Sequence, residues 1–237
     1  MRVRLRHGSA RAPGVVRLVS RLVACAMVLA VSSPAPPACA EARAQASSAA
    51  SPDASAEEAR RAYRAGQLAA DRAQSRRAYQ RGITLARAAL ARNPDEPGAL
   101  LWLAANLGGE ALTHGKLHAL GVIGEIERTL LRLEQQSPTY DHAAAARALG
   151  RLYQKAPAFI SVGSSAKAAT FLEIALARAP EFPGNWAFVA DFYAEQRDCA
   201  RALPLAQRLR AAPNLDAYGF DAREWREIAA RVLTDCH

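Results

Sequence analysis

Two histidines at helical spacing have the clearest chemical potential in this sequence. His114 and His118 are four positions apart, so their rings would share one face of a helix. Zinc sites often use this spacing, as in the His-Glu-x-x-His motif. The sequence has neither that motif nor an evident third ligand, and Gly115 disfavours a helix here. We therefore predict no metal site and no cofactor, and we expect both histidines to face solvent or line a groove.

A second group of polar residues is of the kind that hydrolases use. Asp141 is followed by His142, and serines occur at Ser161, Ser164 and Ser165. A hydrolase nucleophile of this type needs a Gly-x-Ser-x-Gly turn after a strand, and the sequence offers neither. We predict that the protein is not an enzyme and has no catalytic residues.

The first 40 residues have the three parts of a secretory signal peptide. Six arginines and no acidic residue precede position 22, residues 22–31 are apolar, and residues 38–40 form a small-residue cleavage site. An apolar run of this length is too short to cross a membrane, which needs about twenty residues. We predict cleavage after Ala40 and a periplasmic protein. A membrane anchor would require that Cys39 is lipidated instead, which would make the protein a lipoprotein.

The basic charge of the chain is concentrated in this leader. The full sequence has a formal net charge of +9, and loss of the six leader arginines lowers it to +3. The electrostatic footprint that nucleic-acid binding requires is therefore removed with the leader. We predict no nucleic-acid partner.

Two cysteines, Cys199 and Cys236, remain after cleavage. An even number in an oxidising compartment suggests a disulfide, and the alternative is two unpaired, partly buried thiols. A bridge would join the last repeat to the C-terminal helix and would contribute about 3 to 4 kcal/mol in the chain-entropy model.

A helical repeat organises the rest of the chain. Residues 168–202 span one period of 34 residues, with small, leucine, proline and aromatic positions of the tetratricopeptide (TPR) pattern. These positions are Ala168, Leu172, Ala175, Pro180, Trp186 and Tyr193. We predict an all-α protein, a TPR-like solenoid of antiparallel helix hairpins with a C-terminal capping helix.

The predicted organisation is one repeat domain after a flexible tether. The tether covers residues 41–55, and Ser55 with Glu58 is predicted to cap the first helix of a domain at 56–237. The predicted units are 56–94, 95–138, 139–180 and 181–213, followed by a cap at 221–235. Unit two is expected to contain an extended hairpin between Gly108 and Gly124 that carries the two histidines.

Unit three is longer than the repeat allows, which predicts an inserted loop at residues 155–165 with Phe159 exposed. Insertions in solenoids often lie on the binding face. Asn106 is expected to face solvent or a polar groove, because burying it without a partner costs about 1 to 3 kcal/mol. The candidate binding residues are Asn106, His114, His118, Tyr153, Phe159 and Ser161.

Several segments resemble one family of repeat proteins. They are Leu-Trp-Leu-Ala-Ala-Asn-Leu-Gly at 101–108, Arg-Ala-Leu-Gly-Arg-Leu-Tyr at 147–153, Pro157, Lys167 with Ala168, Ala175 and Pro180. In this arrangement, over roughly residues 78–213, the chain resembles the T component (TatT) of tripartite ATP-independent periplasmic (TRAP) transporters.

The resemblance implies a non-enzymatic periplasmic accessory protein. Its partner would be the periplasmic solute-binding protein (P component) of a TRAP transporter, and it would form a homo-oligomer, a trimer in the family. A small organic ligand would also be expected. The alternative is a TPR-type scaffold of the cell envelope that mediates protein–protein interactions without a small ligand.

Overall fold

The computed structural model describes residues 52–236, apart from the side chains of Pro52, Asp53 and Lys116. The described chain contains nine α-helices, one short 3-10 helix and no strand, which confirms the all-α prediction for these residues. The predicted leader, cleavage site and Cys39 lie outside them. The helices are α1 (Pro52–Leu68), α2 (Arg72–Arg92), α3 (Pro97–His114), α4 (Lys116–Gln136), α5 (Tyr140–Lys155), α6 (Ser165–Arg178), α7 (Pro183–Glu195), α8 (Cys199–Arg210) and α9 (Phe220–Asp235), with the 3-10 helix (Leu215–Tyr218) before α9.

Side-chain caps define where several helices begin. Asp71 accepts a hydrogen bond from the backbone N–H of Gln74 at the start of α2. Glu96 accepts from the first backbone N–H groups of α3, whose first residue is a proline. Such caps satisfy backbone donors that have no partner inside the helix. Ser164 and Asp198 cap α6 and α8 in the same way.

The first helix begins earlier than the sequence predicts. Helix α1 starts at Pro52, so residues 52–55 are helical and are not part of a tether. Ser55 does not cap α1, because its hydroxyl lies inside the helix and accepts a hydrogen bond from Arg92 Nη2 at 2.6 Å. This contact holds the end of α2 against the start of α1.

Consecutive helices pack as pairs, α1 with α2, α3 with α4, α5 with α6, and α7 with α8. The first helices of the pairs also contact one another, α1 with α3, α3 with α5, and α5 with α7, and α7 contacts α9. We call α1, α3, α5, α7 and α9 the first-helix row. Helix α9 packs on both helices of the last pair, where Trp225, Ile228 and Val232 are buried.

Small residues allow the pairs to pack closely. A Cβ atom added at Gly150 on α5 would lie 2.5 Å from Leu172 Cγ on α6, nearer than two carbon atoms can approach. The repeat pattern predicts glycine at this position for the same reason. Buried alanines such as Ala146 and Ala175 complete this contact between α5 and α6.

The turn between α3 and α4 is shorter than the repeat pattern suggests. The segment from Gly108 to Gly124, predicted as an extended hairpin, is helical up to its tip, because α3 continues to His114 and α4 begins at Lys116. Gly115 alone forms the turn, with φ 107° and ψ 177°. This backbone conformation is essentially restricted to glycine. The glycine that disfavours a helix in the sequence therefore marks a one-residue reversal.

Cys199 and Cys236 form a disulfide, with a Cα–Cα distance of 5.3 Å. Of the two alternatives left open by the sequence, the structure contains the bridge. It joins the first residue of α8 to the residue after α9, so the capping helix is covalently attached to the last pair. The predicted capping helix at 221–235 corresponds to α9, which begins one residue earlier, at Phe220.

Candidate functional site

Charges on α9 act on a tyrosine of α1. Burial raises the pKa of Tyr63 on α1 to about 12, and the carboxylates of Glu224 and Asp221 on α9 act in the same direction. The two ends of the first-helix row therefore influence each other electrostatically.

Charged side chains of both signs come together between α5, α7 and α9. Arg147, Arg151 and Lys155 are spaced four residues apart and form one stripe along α5. Asp191 lies on α7, and Asp221 and Glu224 lie on α9. We call these six residues the inner charged cluster.

Asp191 joins α5, α7 and α9. Its side chain is only 2% exposed, accepts hydrogen bonds from Arg151 and Arg231, and has Oδ2 3.3 Å from Lys155 Nζ. Burial on its own raises the pKa of an aspartate, but Arg151 and Lys155 outweigh it and hold the pKa of Asp191 below its usual range. Asp191 is therefore an ionised carboxylate that fixes the cations of the cluster.

A left-handed turn lies beside Arg147 at the start of α5. Asp141, His142 and Ala143 have φ values of 44°, 58° and 61°, and α-helical geometry begins only after them. Residues other than glycine rarely adopt this region, at a cost of about 1 to 2 kcal/mol each. The Arg147 guanidinium donates to the carbonyl oxygens of Asp141 and His142, the latter at 2.9 Å, which stabilises the turn.

Arg147 itself is strongly enclosed. Burial lowers its pKa to about 10, while Asp141 and Asp221 act in the opposite direction. Its guanidinium lies 4.6 Å from the centroid of the Phe182 ring. The guanidinium also forms an ion pair with Asp141, with Nη2 3.7 Å from Asp141 Oδ2.

Asp221 and Glu224 are the carboxylates of the cluster with the weakest cation contacts. The side chain of Glu224 is 46% exposed, with Arg151 Nη2 at 3.8 Å. Asp221 has no ion pair within 4.0 Å among residues 52–236. Burial nevertheless raises the pKa of both carboxyls, and the partial influence of Arg64 on Asp221 and of Arg151 on Glu224 does not offset it. A hydrogen-bond donor or cation beside these carboxylates would stabilise their ionised form.

The predicted loop of unit three occupies residues 156–164, between α5 and α6. Phe159 is fully exposed and Ile160 is 69% exposed, in agreement with the prediction for Phe159. Ser161 is half-buried in the same loop. The backbone N–H of Ser164 donates to the carbonyl of Tyr153 at 2.9 Å, which anchors the end of the loop to α5.

Asn106 does not line a groove, contrary to the prediction. It is fully buried, and its Nδ2 donates to the carbonyl oxygens of Ala59 at 3.1 Å and Trp102 at 2.7 Å. These backbone acceptors satisfy the Asn106 amide group, whereas its Oδ1 is buried without a hydrogen-bond partner among residues 52–236. The contact with Ala59 could not be predicted from the sequence, because Ala59 is 47 residues away. Asn106 holds α3 against α1.

Tyr153 is also a buried packing residue, only 2% exposed. Its hydroxyl donates to Glu127 Oε1 at 2.8 Å, and its ring lies 5.6 Å from that of Phe171. Burial, together with the hydrogen bond to Glu127, raises the pKa of Tyr153 well above its usual range. Tyr153 therefore ties α5 to α4 and α6, and it offers no accessible surface to a ligand.

The two predicted histidines come together with a third residue. Their rings stack with centroids 4.3 Å apart, and both contact the carboxylate of Glu110. Glu110 precedes His114 by four residues, so the repeated spacing Glu-x3-His-x3-His could have indicated it. The structure thus places the six sequence candidates in three separate regions, the α3–α4 turn, the unit-three loop and the helix interfaces.

The inner charged cluster was not predicted from the sequence. Its charged residues have the composition of solvated helix faces, and their partners lie in other helices about 40 residues away. Only the four-residue spacing of Arg147, Arg151 and Lys155 was available as a signal.

Comparison with protein-family models and with curated proteins finds no match for the chain. Within residues 52–236, no helix combines the length and the apolar character needed to span a membrane.

Proposed function

We propose that the protein is a non-enzymatic binding protein whose helix pairs form a TPR-like solenoid and whose inner charged cluster binds a partner. The observation that carries the proposal is the pair Asp221 and Glu224, which are accessible and have the weakest cation contacts of the cluster. Contacts from α1 through α3, α5, α7 and α9 support a superhelical row. A partner that inserts an ammonium, guanidinium or amide group between α1 and α9 would satisfy both carboxylates.

The cluster is better suited to binding than to catalysis. Most of its cations are already held by Asp191, and its six residues include no serine, threonine or cysteine that could act as a nucleophile. Aromatic rings contact the cluster, since the Arg151 guanidinium lies 4.4 Å from the centroid of Phe188. Alternating charges and rings form a surface that recognises a partner by complementarity.

We further propose that this binding serves as the T component of a TRAP transporter, with a periplasmic solute receptor as partner. The segments that resemble that family include much of α3 and α5, which are adjacent members of the first-helix row. The exposed Phe159 and Ile160 lie directly after α5, so the loop would extend the binding surface beyond the inner charged cluster.

A homo-oligomer fits the exposed edge of the first helix pair. A groove of about 530 Å³ runs along α1 and α2, lined by residues that include Ala62, Ala65 and Ala78. These small residues would let a helix of another subunit pack closely. Arg61 and Arg77 border the same groove and would favour an acidic partner surface.

Titration calorimetry with the solute-binding protein of a TRAP transporter from the same cell tests the proposal. Glu224→Gln should weaken binding at least about tenfold if the carboxylate contacts the partner. Glu227→Gln is the matched control, because Glu227 lies on the same helix and is 68% exposed. Equal affinities of the two variants, or no binding by the wild type, would count against the proposal.

Phe159→Asp tests the loop separately. The side chain is fully exposed, so the substitution should leave helicity unchanged and should reduce receptor binding. Wild-type affinity in this variant would remove the loop from the binding surface.

Native mass spectrometry of the mature protein distinguishes between the two proposed roles, a transporter component and a scaffold. A defined oligomer with a retained small organic mass is expected for the former. A ligand-free monomer that forms complexes only with proteins would favour the scaffold.

A further inference from the structure

Three potential metal ligands lie together where α3 turns into α4. Glu110 and His114 are in the last two turns of α3, and His118 is in the first turn of α4. The reversal at Gly115 brings the second histidine back toward Glu110. The ligand atoms of these three side chains all lie within 4.8 Å of one another.

The two histidines contact different oxygens of the Glu110 carboxylate. His114 Nε2 is 2.8 Å from Glu110 Oε1, and His118 Nε2 is 2.9 Å from Glu110 Oε2. Zinc binds histidine nitrogen at about 2.0 to 2.1 Å and carboxylate oxygen at about 2.0 to 2.2 Å. Tetrahedral ligands at these distances are about 3.4 Å apart. If each exposed imidazole moved so that its Nε2 lay about half an ångström farther from the Glu110 oxygen, the ion would have the required space.

Glu110 is held in place from its protein side. It is only 7% exposed, and Gln80 Nε2 on α2 donates to its Oε1 at 3.3 Å. The neighbouring Thr113 is fixed by its own hydrogen bond to the Glu110 carbonyl and by Arg76. Outer partners of this kind orient a ligand before the metal binds. Among the described side chains, which exclude that of Lys116, the ion-pair contacts of Glu110 are those with the two histidines.

The site is accessible from solvent on its histidine side. The side chains of His114 and His118 are 29% and 43% exposed. Three protein ligands leave a coordination position for water, the arrangement of an open zinc site. An ion here would also join the end of α3 to the start of α4 across a single glycine.

We propose that Glu110, His114 and His118 bind a divalent transition-metal ion of the zinc class. Two imidazole nitrogens and one carboxylate oxygen suit zinc better than calcium or magnesium, which select oxygen ligands. The site lies apart from the inner charged cluster and is independent of the proposed receptor binding. It differs from the sequence-based expectation of no metal site because that expectation overlooked Glu110.

Competition of the metal-free mature protein with a chromophoric chelator for zinc tests the site. One zinc ion per chain is expected, and Co²⁺ should give the visible absorption of a tetrahedral nitrogen and oxygen site. His118→Asn and Glu110→Gln should each weaken zinc binding by at least about tenfold. Circular dichroism before titration verifies that both variants are folded.

His142→Asn is the matched histidine control, since asparagine tolerates the left-handed backbone found at that position. Its zinc affinity should equal that of the wild type. Two results would overturn the proposal. One is no bound zinc in the wild type at about 100 µM free metal, a very weak affinity. The other is undiminished binding in folded His118→Asn, which would place the ion elsewhere.

Discussion

Two carboxylates of the inner charged cluster, those of Asp191 and Glu224, have opposite effects on the stability of the fold. Asp191 is buried against three cations, so its ionised form stabilises the native state. Glu224 faces the same space with one distant cation, and its ionised form is disfavoured by folding. The cluster thus contains one carboxylate, that of Asp191, which stabilises the fold. The carboxylate of Glu224 would be stabilised by a positively charged group of a partner.

Asp191→Asn should lower the free energy of unfolding by about 2 to 3 kcal/mol at pH 7, because three cations lose their shared carboxylate. The folded-state pKa of Asp191 is below its unfolded value. Its contribution is therefore complete above about pH 5 and is lost as the pH falls below about 4. Urea unfolding of wild type and variant at pH 7 and pH 3 measures this. A constant difference between the two proteins would contradict the assignment.

Glu224→Gln should behave in the opposite way. Folding raises the pKa of Glu224, so its carboxylate opposes folding at neutral pH and ceases to do so below about pH 4. The variant should be more stable than the wild type at pH 7 by less than about 1 kcal/mol, because solvent screens the half-exposed group. Thermal unfolding at pH 7 and pH 4 tests this, with Glu227→Gln expected to show no change. A destabilised Glu224→Gln would show that the contact with Arg151 dominates.

Helix pairs are predictable from this sequence where local signals agree. Prolines and the 34-residue period indicate the pairs α5–α6 and α7–α8. Glycine was the least reliable signal for a helix end. Gly108 lies inside α3, whereas Gly115 forms the reversal between α3 and α4, and the sequence does not distinguish the two. The left-handed turn at residues 141–143 could not be predicted either. Arg147 stabilises it by hydrogen bonds to backbone carbonyls, which every residue type has.

Gly115→Ala should destabilise the protein by about 1 to 3 kcal/mol through backbone strain alone. An added Cβ meets no atom within 4 Å, so steric contact contributes nothing. Gly121→Ala on α4 is the control, because its Cβ also meets no atom but its backbone is helical. That variant should be stabilised by about 0.5 to 1 kcal/mol. Chemical denaturation of both measures the contrast, and equal effects would contradict the conformation of Gly115.

At the scale of the whole molecule, contacts between helices far apart in the sequence create the candidate site. Asp191 on α7 accepts hydrogen bonds from Arg151 on α5 and Arg231 on α9, each 40 residues away. Sequence periodicity predicts which helices pair, but the accumulated rotation along a row depends on the packing of every interface. The charge pairs of the inner charged cluster could therefore not be predicted from the sequence.

Replacement of both Cys199 and Cys236 by serine should lower the free energy of unfolding by about 3 to 4 kcal/mol. The bridge closes a segment of 37 residues that includes α8 and α9. Denaturant unfolding of the variant in buffer should match that of the wild type with a reductant. A variant as stable as the oxidised wild type would show that packing alone holds α9.

The same bridge changes what a protease can accomplish. The connection at residues 211–219, between α8 and α9, lies inside the covalent ring closed by Cys199 and Cys236. A single cut there would divide the backbone without releasing α9, and the fragments would separate on a gel only after reduction. After such a nick, α9 would stay attached to the last helix pair and continue to cover it.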